Sequence, residues 1–223
     1  MSTYTSVQKE KIPAALSETR FSRYLAHCEG DVTKGLDLYR WNVEISGECL
    51  KVLHICEITF RNAVSAALEA QYGVNWPSVR AFQVSLPNPS RGWSARNDIE
   101  VLARKYRHDS QVGKLIADSK FAFWCKLMNA SQNDRIWNKH FRIAFPNAPL
   151  RLSTNEERQE IMDAISEVRE LRNRIAHHEP IFTRDMLAAE VESAFFIIGC
   201  RCKITEEWCR SHDKIFDLLA KRP

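Results

Sequence analysis

An all-helical fold, a bundle of long amphipathic helices in a single domain spanning residues 1–223, is what this sequence predicts. Three observations carry the prediction. Glycine and proline are scarce, at 7 and 8 residues, which leaves few places for the turns that many short strands would need. Apolar residues recur at three-to-four-residue intervals along most of the chain. Cap signals stand where such periodic runs begin.

In chain order, Ser17 caps a short helix running to about Cys28, with Gly30 as its stop signal. Asp31 caps the next, which runs to Tyr72 on the recurrence of Leu36, Tyr39, Val43, Leu50, Leu53, Ile58 and Val64, with a bend placed near Ser46-Gly47. Gly73 to Trp93 contains Pro77, Pro87, Pro89 and Gly92 and predicts a long irregular loop, a candidate hinge and a candidate functional segment. Ser94 caps a basic helix to about Arg107, and helical patterns follow over Ser119 to Asn129 and Ser131 to Phe145, closed by Pro146 and Pro149. Thr154 with Glu157 matches a capping box opening a helix to about His178, because Pro180 turns Glu179 away from helical geometry. Thr183 caps an apolar helix through Phe195, Phe196, Ile197 and Ile198, and Thr205 caps a last one ending near Ala220.

The composition, 44% hydrophobic and 27% charged, is that of an ordinary globular chain and excludes wholesale disorder. Seven cysteines without a CxxC pair predict reduced thiols packed as small hydrophobes in a cytoplasmic protein. The polar start from Met1 to Lys11 and the lack of any span-length apolar run argue against secretion and membrane insertion. The net charge of +4 is mild and supports nucleic-acid binding only weakly. Lys and Arg do cluster, at Arg91 to Arg107, Arg135 to Arg151 and Arg169 to Arg174, although a single cluster of this kind is ordinarily a solvated helix face. Of the tryptophans, Trp124 and Trp137 are expected in the core, and Trp93, beside Arg91 and Arg96, is the better candidate for stacking on an unpaired base.

One segment carries a chemical pattern. At about 100° per residue, Arg172, Asn173 and His177 span roughly 140° of the helix preceding Pro180, and Arg169 falls inside that arc. Asn173 and His177 are four apart, so the amide is placed to orient the imidazole. Cleavage of RNA by its own 2′-hydroxyl requires a proton acceptor, a proton donor and positive charge for the phosphorane-like transition state. Histidine titrates near neutral pH, and arginine meets phosphate with a planar fork of donors. That chemistry calls for no metal and no cofactor. One helix supplies one obvious histidine, so a complete site asks for a second copy in a homodimer. Without further context such a polar set is more often a solvated face, and His178, about 100° further round, competes for any role given to His177.

The segment Glu170-Leu171-Arg172-Asn173-Arg174-Ile175-Ala176-His177-His178-Glu179-Pro180-Ile181 resembles the RNxxxH motif of HEPN domains. Within that superfamily the chain looks most like the Abi-like proteins of bacterial abortive infection. Leu38-Tyr39-Arg40-Trp41-Asn42, Glu57-Ile58-Thr59-Phe60-Arg61-Asn62-Ala63, and Phe121-Ala122-Phe123-Trp124 with Ile136-Trp137 and Phe145-Pro146 extend the likeness over roughly Ser17 to Ile181. The resemblance implies a helical bundle of HEPN type that acts as a metal-independent endoribonuclease across a homodimer, with Arg172, Asn173 and His177 as catalytic residues. It implies an RNA substrate, a role as a toxin or antiviral effector, and an RNA or protein inhibitor. Arg169, His178, Glu57, Arg61 and Asn62 are expected as supporting or RNA-binding residues. Glu57 and Arg61 either pair with each other on one face, or Glu57, Arg61 or Asn62 reaches the Arg172 to His177 segment from the neighbouring helix. Some HEPN toxins carry a tyrosine two residues after the histidine, the target of antitoxin modification; here Glu179 holds that place, which puts that form of control in doubt. A non-catalytic RNA-binding or protein-interaction module of a toxin-antitoxin or phage-defence system is the alternative, and a purely structural dimer partner of another toxin component is a third.

Overall fold

The computed structural model describes residues 4–106, 111–150 and 153–223, and among these every regular element is helical. Arg107 and Arg151, the ends of two of the basic clusters, lie outside the described residues, as do Met1, Ser2 and Thr3. Among the described residues no helix is long and apolar enough to cross a membrane.

The first helix, α1 (Ser6–Leu16), opens on a capping box made by Thr5 and Gln8 and buries none of its residues, so it has no apolar stripe to announce it. Helix α2 (Glu18–His27) starts at Ser17, whose hydroxyl accepts from the Arg20 N–H. It stops at Gly30, which takes φ +85° and donates its N–H to Leu25. The Asp31 carboxylate accepts the Thr33 and Lys34 N–H groups and opens α3 (Val32–Tyr72). At 41 residues α3 is about 60 Å long and runs uninterrupted through Ser46-Gly47.

Helix α3 is the spine of the fold, but its buried stripe is only partly the expected one. Leu38, Trp41, Ile45, Cys49, Val52, Cys56, Phe60, Ala63 and Ala67 face the core together with Leu36, Leu53 and Val64, whereas Val43, Leu50 and Ile58 are exposed. Apolar residues occupy both sides of α3, so periodicity identifies the helix without choosing its face.

The segment after Gly73 departs from the irregular loop expected of it. Trp76–Ser78 forms a 3₁₀ turn and Arg80–Ser85 a short helix, α4. Trp76 and Phe82 are fully buried, and the Trp76 indole donates to the Ser65 hydroxyl at 3.2 Å. Ser94 caps α5 (Ala95–Lys105) as expected, and α6 (Val112–Asp118) precedes α7 (Phe121–Leu127). A 3₁₀ turn (Ala130–Gln132) and a π-helical turn (Asn133–Trp137) lead into α8 (Asn138–Ala144). Trp124 and Trp137 lie in the core with their indole N–H groups bonded to Ser119 Oγ and Leu127 O, both at 2.7 Å.

Helix α9 (Thr154–Ala176) opens one residue earlier than expected: Ser153 is the cap and Glu156 its reciprocal partner. Glu157 is instead buried and takes a bifurcated contact from Arg142 of α8. The expected Thr183 cap is absent, because Ile181 and Phe182 are pinned elsewhere, and α10 begins at Leu187 and ends at Arg201. The single last helix expected from Thr205 is two, α11 (Lys203–Ser211) and α12 (Ile215–Leu219). Helices α2, α8, α9 and α10 pack on α3, so the far end of α9 comes to rest against its middle. All seven cysteines are free thiols, and five of them are buried.

Candidate active site

The end of α9 is a fixed structure. His177 is its C-cap residue, and His178 adopts φ +55°, the left-handed conformation that closes a Schellman motif. The His178 N–H bonds to Ile175 O and the Glu179 N–H to Arg174 O, each at 2.9 Å. The His178 carbonyl then accepts from Arg20 of α2 at 2.8 Å. His178 therefore acts through its backbone, and its side chain is exposed.

Beyond Pro180 the chain is anchored to α3. The buried Asn42 side-chain oxygen accepts the Ile181 N–H at 2.8 Å and the Phe182 N–H at 3.1 Å. Asn42 belongs to the Leu38–Asn42 segment, yet no helix-face argument singles it out. Its partners lie 139 and 140 residues away, a pairing that only the packing of α9 on α3 creates.

Arg172 is half-exposed and faces α3. Its Nε lies 3.5 Å from the Glu57 carboxylate, and its Nη1 donates to the Asn173 amide oxygen at 3.3 Å. Glu57 also pairs with Arg61, so both readings of Glu57 hold at once: it bonds along its own helix and reaches the Arg172 segment. Arg61 turns the other way. It donates to the carbonyls of Ile116 at 2.9 Å and Ser119 at 2.7 Å, where it caps the end of α6 and clamps the α6–α7 junction onto α3. Asn62 is exposed and lines the same cleft as Arg61.

The structure does not bring the Asn173 amide to the His177 ring. Asn173 meets His177 through the backbone, where its carbonyl accepts the His177 N–H at 2.9 Å, while its side chain serves Arg172. His177 and Arg169 are both exposed. Trp93 is exposed and ties its indole to Asp98, and the neighbouring Arg96 is committed to the carbonyls of Gln83, Val84 and Leu86. Among the described residues no three His, Cys, Asp or Glu side chains gather as a metal-binding group.

Two adjoining clefts meet at Arg172. One, of about 510 Å³, runs along Gly47, Leu50, Lys51 and Ala176; the other, of about 450 Å³, runs along Ile58, Arg61, Asn62 and the α6 residues Gly113, Ile116 and Ala117. Arg172, Glu57 and His54 line both. His54 is exposed on α3 and was not among the residues singled out from sequence. Its one signal was position, three residues before Glu57 on the same helical face.

The chain matches no family model, no curated protein and no solved structure.

Proposed function

We propose that this protein is a metal-independent endoribonuclease of the HEPN superfamily, akin to the Abi-like abortive-infection proteins. It acts as an antiviral or toxin-type effector on RNA in the cytoplasm, and Arg172, Asn173 and His177 form its catalytic set. The observation that carries the reading is the placement of Arg172. It stands at the junction of two clefts, half-exposed, with Glu57 and Asn173 holding the guanidinium and its remaining donors open to a ligand.

In this reading Arg172 binds the scissile phosphodiester and offsets the negative charge that grows on its oxygens. Asn173 holds Arg172 in place, and His177, at the solvent-exposed end of α9, exchanges a proton with the reacting ribose. Pairing of two copies brings two such ends together and completes the site. Arg169 and Asn62 extend the polar surface along the strand. Glu57 and Arg61 are supports, and His178 shapes the turn.

A second reading, a non-catalytic RNA-binding module, is favoured by the separation of the His177 ring from Asn173 within one chain. The two are told apart by measuring binding and cleavage of a labelled RNA side by side. The enzyme reading predicts that His177→Ala binds as tightly as wild type and does not cut. The module reading predicts that neither protein cuts.

A further inference from the structure

We infer that His54 is a further catalytic residue of this site, a proton-transferring group that works beside the Arg172 of its own chain. The inference rests on the ribonuclease reading and adds a group that reading does not contain. A phosphodiester seated on Arg172 leaves one nucleoside on each side of it, and the two clefts meet there. Among the described residues, the side chains common to both clefts are Arg172, Glu57 and His54. Arg172 is a fixed cation, and Glu57 is engaged by Arg61 and Arg172. His54 is exposed at the junction, and its imidazole is the group of the three that can either accept or donate a proton.

The reaction needs two proton transfers. The 2′-oxygen forms its bond to phosphorus as the bond from phosphorus to the 5′-oxygen breaks. A neutral imidazole takes the 2′-hydroxyl proton, and an imidazolium gives a proton to the departing 5′-oxygen, leaving a 2′,3′-cyclic phosphate and a 5′-hydroxyl. His54 fills one of these roles, and His177, supplied through the pairing of two copies, fills the other. Among the described residues, the charged groups lining these clefts with His54 are Lys51, Glu57 and Arg61 from α3 and Arg172 from α9, and the α6 residues that line them, Gly113, Ile116 and Ala117, are uncharged.

The test compares wild type, His54→Gln and His177→Gln in single-turnover cleavage of a labelled single-stranded RNA of mixed sequence, from about pH 5 to about pH 9, with RNA affinity and circular dichroism measured on each. The expected result is a folded His54→Gln protein that binds RNA within about twofold of wild type, cleaves about 100-fold or more slowly, and has lost one limb of a bell-shaped pH profile. If His54→Gln cleaves within about threefold of wild type and keeps both limbs while His177→Gln is inactive, the role of His54 is refuted and the ribonuclease reading stands. Slower cleavage matched by equally weaker binding, with both limbs kept, also refutes it, since His54 would then only bind. A wild-type protein that cleaves nothing removes both the reading and the inference.

Discussion

Replacing Asn42 by alanine tests how the α9 end is held. The amide oxygen is buried and accepts two backbone N–H groups, from Ile181 at 2.8 Å and Phe182 at 3.1 Å. Both donors are buried with it, so truncation leaves two unsatisfied polar groups in a site water does not reach. Each such group costs about 1–3 kcal/mol, and because the two share one acceptor the losses do not add in full, giving about 2–4 kcal/mol. For a chain of this size that is a fall in melting temperature of about 5–10 °C. Urea denaturation read by tryptophan fluorescence gives the free energy, and amide hydrogen exchange gives the location, with the Ile181 and Phe182 amides losing protection first. Asn42→Asp, which keeps the acceptor, is expected to lose less. An Asn42→Ala protein within about 0.5 kcal/mol of wild type, with those amides still protected, would refute the assignment of Asn42 as the anchor.

Glu57→Gln removes the negative charge shared by Arg61 and Arg172; the pair with Arg172 is partly solvent-screened, so we expect a loss of about 1–2 kcal/mol in denaturant titration, and no change would show that Glu57 does not hold either arginine. At His178, whose φ is +55°, substitution by glycine is expected to be neutral or to stabilise by up to about 1 kcal/mol and to leave RNA cleavage intact, while valine costs about 1–2 kcal/mol; loss of cleavage in a stable His178→Gly protein would instead put the side chain in the chemistry. Cys202 is predicted to be the first thiol labelled by a maleimide as the pH is raised, because the Thr205 hydroxyl and N–H bonded to its sulfur lower its pKa, whereas burial pushes Cys49, Cys125 and Cys200 up to about 12. Mass spectrometry after brief labelling checks this, and uniform modification of the buried cysteines would contradict it.

What could be read from the sequence was set by local chemistry. Ser17, Asp31 and Ser94 were legible as caps because each bonds to backbone within three residues of itself. At the start of α9 the sequence predicts a cap from Thr154 with Glu157, whereas Ser153 with Glu156, which fits the same pattern, forms the cap. A partner on another helix decided it: Arg142 claims Glu157, leaving Glu156 to the cap. The delayed start of α10 has a similar cause, because Asn42 of α3 accepts the Ile181 and Phe182 N–H groups. Trp76 and Phe82 order the Gly73 to Trp93 segment through packing that no local proline or glycine signal encodes. At the candidate site, the motif indicated Arg172 but could not indicate Asn42, Arg20 or His54, which come to it from α2 and α3 only through the tertiary fold.

In the proposed reaction the Arg172 to His177 segment cuts RNA without a metal. The decisive experiment incubates purified wild-type and His177→Ala protein with labelled RNA in the presence of EDTA and determines the chemistry of the new ends. Cleavage by wild type alone is expected, leaving a 2′,3′-cyclic phosphate and a 5′-hydroxyl. Cleavage that requires added metal, or equal cleavage by His177→Ala, would contradict it.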